Sequence, residues 1–165
     1  MKILVVGTWQ KHKAAPFRKE AEELGRLLAE GGHTLISGGG EGISEMVVDS
    51  YESNNGKKYI AYLPALKYMR EVGEEIGSKP DKIVKTNLDY PMRDALIVKN
   101  CDGIVALQGG LGSLTEIIHA VKDYNKKVSV INKGDLAKWV KAIPELKNKV
   151  LLAADIKKAL ENLEK

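Results

Sequence analysis

The sequence predicts a doubly wound, Rossmann-like α/β fold with a mainly parallel sheet of about seven strands. Two observations lead there. Short runs rich in Val, Ile and Leu alternate along the chain with segments of helical periodicity. At two strand-to-helix junctions stands a cluster of glycines, 38–42 and 109–112. Strict β/α alternation with right-handed crossovers produces a parallel sheet with helices on both faces. The 165 residues fit one domain over 1–165, long enough to bury a real core.

The elements follow in order. The first strand covers 2–6; it runs straight into Gly7-Thr8-Trp9-Gln10 and then lysines, so it does not read as a signal peptide. A helix over 17–31 carries Ala21, Leu24, Leu27 and Leu28 at helical spacing, with Pro16 at its start and Gly31-Gly32 at its end. A strand over 34–37 precedes a helix over 43–53, and Asn54-Asn55-Gly56 turns the chain. A strand over 58–63 is stopped by Pro64, and 65–77 reads as a short or irregular helix. A short strand at 82–86 leads to a helix over 90–100, with Pro91 tolerated in its first turn. The apolar run 103–107 is the central strand, and 113–124 is its helix. A strand over 127–131, a helix over 135–143, an edge strand at 150–153 and a helix over 155–163 complete the chain.

Apolar residues make up 44% and charged residues 29%, the balance of a soluble globular protein. The net charge of +4 comes from lysines dispersed among glutamates, so no stripe for nucleic acid is expected. No run approaches the ~20 apolar residues of a membrane span. Cys101 is the single cysteine; it fits a reducing compartment and reads as a buried, inert thiol. A cytoplasmic location is therefore expected. His12, His33 and His119 lack ligand spacing, so no metal is expected, and no resident cofactor either.

The glycine clusters are the candidate chemistry. A glycine-rich turn at the start of a helix leaves backbone N–H groups unpaired, and the helix dipole adds positive charge there, so it can hold a phosphate. Leu107-Gln108-Gly109-Gly110-Leu111-Gly112-Ser113-Leu114-Thr115-Glu116 is one such junction, and Ser37-Gly38-Gly39-Gly40-Glu41-Gly42 is the other. Neither is followed by Gly-Lys-Ser/Thr, and Thr115 stands where a dinucleotide fingerprint needs its third glycine. The loops after strands one, two and five should meet at one edge of the sheet, bringing Gly7 and Thr8 to Gly38, Gly39 and Gly40 and to Gly109, Gly110, Gly112 and Ser113. Glu116 has two readings: partner of Ser113 in a capping box, or a carboxylate held about one helical turn from a bound phosphate.

These two motifs resemble the Lonely Guy family of nucleoside 5′-monophosphate phosphoribohydrolases, long mislabelled lysine decarboxylases. The family hallmark is Pro-Gly-Gly-x-Gly-Thr-x-x-Glu with an arginine fifteen residues before its proline; here Arg93 stands fifteen residues before Gln108. Gln108 replaces the proline, Ser113 the threonine, and Asp94 the lysine that usually follows the arginine. The chain looks closer to a divergent prokaryotic branch that includes the molybdenum-cofactor carrier proteins.

The resemblance implies hydrolysis of an N-glycosidic bond through an oxocarbenium-like transition state, with Arg93 and Glu116 as catalytic residues. Glu116 would stabilise positive charge or activate water. Arg93 would hold the ribose phosphate or help the base depart. The alternative is a carrier that binds a nucleotide or phosphorylated pterin on the same glycines without cleaving it. Read without the resemblance, Arg93 would be a surface ion pair with Asp89 or Asp94. Lys11, His12 and Lys13 could add positive charge at the mouth of the site. Pyridoxal phosphate chemistry is not expected, because no lysine has a setting suited to a Schiff base. The resemblance also implies a homodimer or homotetramer; the helix over 90–100 carries Met92, Ala95, Leu96, Ile97 and Val98, more apolar surface than one packed face needs.

Overall fold

Successive residues of the first strand, β1 (Lys2–Val6), send their side chains to opposite sides and bury both. Ile3 and Val5 enter one hydrophobic layer, and Leu4 and Val6 the other. This is the signature of a strand covered by helices on both faces. The computed structural model describes residues 1–77 and 80–164. Its seven strands are β1, β2 (Thr34–Ser37), β3 (Tyr59–Leu63), β4 (Lys82–Lys85), β5 (Gly103–Ala106), β6 (Lys127–Ile131) and β7 (Leu151–Ala153). They form one sheet in the order β4-β3-β2-β1-β5-β6-β7, every pair parallel.

Helices α2 (Arg18–Glu30), α3 (Ile43–Ser53) and α9 (Ile156–Glu164) cover one face, burying Leu24, Leu28, Val47, Tyr51 and Ile156. Helices α5 (Tyr90–Lys99), α6 (Leu111–Ile118), α7 (Gly134–Ala142) and α8 (Pro144–Lys147) cover the other, burying Ile97, Ile117, Val140 and Leu146. The remaining helices are α1 (Lys11–Ala14) and α4 (Leu66–Val72). The outer strand β4 is largely exposed and carries Lys82 and Lys85, charges that discourage further strand pairing.

The doubly wound parallel sheet of seven strands is as expected. Several boundaries differ for local reasons. From Lys11 the chain is helical: α1 and a 3₁₀ turn, Ala15–Phe17, precede α2, so Lys11, His12 and Lys13 lie on a helix and not in a loop. The helix after β5 begins at Leu111, two residues earlier than expected, and widens into a π-helical turn, His119–Asp123. The segment after β3 is helical only over Leu66–Val72, where Gly73 ends it in the left-handed conformation at φ 71°.

The strand order reverses between β1 and β5. The crevice beyond their carboxyl ends is where ligands of such sheets bind. Three loops are laced together there. The Thr8 N–H donates to the Gln108 carbonyl (2.6 Å), and the Thr8 carbonyl accepts from the Ile43 N–H (3.0 Å).

Candidate functional site

A cavity of about 490 Å³ opens at this crevice, within the size range of small-molecule sites. It gathers residues from β1 and its loop, the two glycine clusters, and helices α5, α6 and α7. Of the expected site residues, Gly7, Thr8, Gly38, Gly40, Arg93, Gly109, Gly110, Gly112, Ser113 and Glu116 all line it. Gly39 does not. It adopts φ +79°, and a side chain there would run into Leu63 and Ala61 beneath the loop. Its N–H donates to Ser37 Oγ (3.0 Å), so its amide is committed to the scaffold. The Thr8 amide is committed in the same way, and its hydroxyl accepts from the Gln10 N–H at 3.2 Å.

The α6 end of the cavity is an uncapped helix N-terminus. Gly110 holds the cap position, and no side chain accepts from the first-turn N–H groups. The capping-box reading of Ser113 and Glu116 therefore falls: Ser113 lies inside the first turn, not at the cap. The uncapped first-turn amides, reinforced by the helix dipole, are chemically suited to an anion.

Arg93 lines the same cavity from α5. It is buried, and the surface ion-pair reading does not hold. Asp89 instead caps α5, accepting from the Met92 N–H at 3.0 Å. One terminal nitrogen of Arg93 donates to the carbonyls of Tyr62 (3.0 Å) and Gly38 (3.2 Å), tying α5 to the ends of β3 and β2. Gly38 has to be glycine for this: a Cβ there would lie 2.3 Å from that nitrogen. Arg93 Nε lies 2.9 Å from Asp94 Oδ1, yet neither atom has a hydrogen-bond partner, so the pair attracts as charges without an aligned N–H.

Carboxyl groups crowd the guanidinium. Glu116 is pushed up to about 8, first by burial of its carboxyl and then by the charges of Asp94 and Glu74, with Arg93 opposing. Burial also raises Asp94, again against Arg93. Glu74 is raised by burial and accepts a hydrogen bond from the Tyr90 hydroxyl. This environment favours the protonated form of Glu116 around neutral pH. Lys13 reaches the cavity, while Lys11 is paired with Glu41 at 2.6 Å and His12 is exposed.

Glu74, Tyr90, Gln10, Asp135 and Trp139 also line the cavity and were not singled out from the sequence; Trp9 lines it too, and was expected at this edge only as part of the loop after β1. Glu74 arrives on the segment after α4, which is strapped to the first glycine loop by a Gly77 N–H to Gly39 carbonyl bond (2.9 Å) and a bridge between Gly40 and Ile76. No local pattern announces such a strap. The tryptophans had a signal: they are the only two in the chain.

Cys101 is buried with its thiol pushed up to about 12 by burial, an inert environment. Among the described residues no group of three or more His, Cys, Asp or Glu could hold a metal ion. Among them, too, no helix is long and apolar enough to cross a membrane.

The SLOG cluster4 family matches residues 1–160, nearly the whole chain. The chain belongs to that family. Among its relatives is a probable cytokinin riboside 5′-monophosphate phosphoribohydrolase of Oryza sativa subsp. japonica, 27% identical over 92% of this chain and 66% of that protein. A cytokinin riboside 5′-monophosphate phosphoribohydrolase of Arabidopsis thaliana is 30% identical over 64% of this chain and 47% of its own length. The chain thus spans between about half and two thirds of these plant enzymes. The same fold occurs in the molybdenum cofactor binding protein of Rippkaea orientalis, with TM-score 0.78 and 24% identity over 99% of this chain and 93% of that one.

Proposed function

We propose that the cavity binds a nucleoside 5′-monophosphate and hydrolyses its N-glycosidic bond, releasing the free base and ribose 5-phosphate. One observation carries this reading. A proton-holding carboxyl, Glu116, and a buried cation, Arg93, share a cavity with an uncapped helix N-terminus. The amides of Gly110, Gly112 and Ser113 seat the phosphate. Cleavage builds positive charge on the sugar and negative charge on the departing base. Glu116 in its protonated form gives its proton to the base; Asp94, paired with Arg93, is the carboxylate that stabilises the sugar cation and orients the water, and as that water adds to the sugar its proton returns to Glu116. The plant relatives carry this activity in their names, which supports the assignment.

The test is chromatography of reaction mixtures containing the purified protein and a panel of nucleoside monophosphates. Free base and ribose 5-phosphate should appear in equal amounts. A second reading is a carrier that binds a phosphorylated nucleotide or pterin without cleaving it. It is favoured by the use of Arg93 as a tie to the Gly38 and Tyr62 carbonyls, which leaves less of the guanidinium for a ligand. Tight binding with no base released from any nucleotide would establish it.

We also propose a homo-oligomer. Met92 on α5 and Leu111 and Ile118 on α6 are exposed apolar side chains on two helices that are in contact, and a second copy would cover them. A cytoplasmic location fits the free, buried Cys101.

A further inference from the structure

We propose that Trp9 and Trp139 form the seat of a planar nitrogen heterocycle beside the phosphate cradle, and that Gln108 holds both walls of that seat in place. The inference rests on the reading of the cavity as a phosphate site and adds which residues hold the ring of the ligand.

The two tryptophans come from opposite halves of the chain, one on the loop after β1 and one on α7, yet both line the one cavity. Both are half-buried. Trp139 packs on the hydrophobic layer under α7 while also lining the cavity. Trp9 is packed against neither hydrophobic layer. A large aromatic surface kept out of the core and turned to a ligand-sized cavity is what stacking on a flat ring requires.

Gln108 links the two. Its main-chain carbonyl accepts from the Thr8 N–H at 2.6 Å, next to Trp9. Its side-chain oxygen accepts from the Asp135 N–H at 3.2 Å and reaches that of Leu136 at 3.5 Å, the otherwise uncapped start of α7. Asp135 and Trp139 are four residues apart on that helix and both line the cavity. The residue immediately before the second glycine cluster is therefore bonded to both elements that carry the tryptophans. No hydrocarbon side chain at position 108 could cap α7 in this way.

The experiment compares two ligands that cannot be hydrolysed: ribose 5-phosphate, and the carbocyclic analogue of adenosine 5′-monophosphate. Calorimetry gives both affinities, and intrinsic fluorescence reports the two tryptophans directly. The nucleotide analogue should bind at least tenfold more tightly than ribose 5-phosphate and change the tryptophan emission, which ribose 5-phosphate should barely alter. Trp9→Leu and Trp139→Leu should each cut that preference by roughly 5- to 100-fold, the range for loss of one stacking partner, while ribose 5-phosphate binding persists. Trp139→Phe, which keeps a ring on the core, should retain most of the preference. Gln108→Ala should lower the preference without abolishing ribose 5-phosphate binding, and Gln108→Glu, which keeps an acceptor for α7, should restore it. The same titration with neopterin monophosphate shows whether the ring is a nucleobase or a pterin. If ribose 5-phosphate binds as tightly as both ring-bearing ligands, the aromatic seat is wrong and the phosphate site stands. If none of the ligands binds, both readings fall.

Discussion

Glu116 shows how far one residue's chemistry depends on its neighbours. Its carboxyl is pushed up to about 8, so between the ordinary carboxylate range and about pH 8 the folded chain holds a proton that the unfolded chain has lost. Stability should therefore fall as pH rises through that window, with Asp94 and Glu74, also raised, adding to the slope. Glu116→Gln should flatten the dependence, seen as a shallower fall of Tm with pH than in the wild type. The same variant should lower turnover by roughly 10²–10⁴-fold, the usual range for a positioned acid or base, and leave monophosphate binding intact. Turnover by the wild type should decline as pH rises through about 8. A rise there would assign Glu116 the role of base. Arg93→Ala should act on the fold as well as on activity. It strips the partner from two carbonyls and the counter-charge from a cluster of acids, so a loss of about 3–5 kcal/mol is expected in urea titrations. Arg93→Lys should rescue only part of this, since a single ammonium can replace the terminal nitrogen that reaches both carbonyls but not the Nε that lies 2.9 Å from Asp94.

At the scale of elements, two helices carry the site and its surroundings. Helix α5 presents Arg93 and Asp94 inward and Met92 outward, and α6 presents Glu116 inward and Leu111 and Ile118 outward. Both helices thus turn polar groups to the cavity and leave apolar side chains exposed, one on α5 and two on α6. Leu111, Thr115 and Ile118 recur at helical spacing on that outer side of α6. If this surface joins two copies, Leu111→Asp should halve the mass measured by light scattering while the circular dichroism spectrum stays unchanged. A wild type that runs only at 18.1 kDa at micromolar concentration would sink the proposal. The early start of α6 has the same local logic: Gly110 and Gly112 have open space around them, and Ser113 is buried in the first turn, so the helix begins where the amides are free.

For the whole molecule, stability comes from a sheet buried on both faces, while the cavity is assembled from its loops. The central residue Ile104 is fully buried in β5, and Ile104→Ala should cost about 2–5 kcal/mol in urea titrations without changing the site's chemistry. Binding should run the other way. A ligand that binds only the folded chain, present at about a hundred times its Kd, adds roughly 2.7 kcal/mol, which for a chain of this size is a rise in Tm of roughly 5–10 °C. A thermal melt with nucleoside monophosphates and with inorganic phosphate checks this. The net charge of +4 is no guide to the site: the cavity holds Glu41, Glu74, Asp94, Glu116 and Asp135 against Arg93 and Lys13.

What was legible in the sequence was whatever depends on neighbours along the chain. Apolar runs of strand length, helical spacing and glycines at strand-to-helix turns specified the parallel sheet, and the topology then placed three loops at one edge. The family resemblance named Arg93 together with the second glycine cluster, and the fold brings both to the lining of one cavity. What only the tertiary structure decided is who faces whom. Arg93 reaches Gly38, 55 residues away, and Tyr62, 31 residues away, and no periodicity encodes either contact. Glu74 comes in on a strap bonded to Gly39, and Gln108 reaches 27 residues forward to the start of α7. The proton on Glu116 belongs to this class too. A carboxyl takes its pKa from how well it is hydrated and which charges surround it, and both are set by distance in space, not by position in the chain.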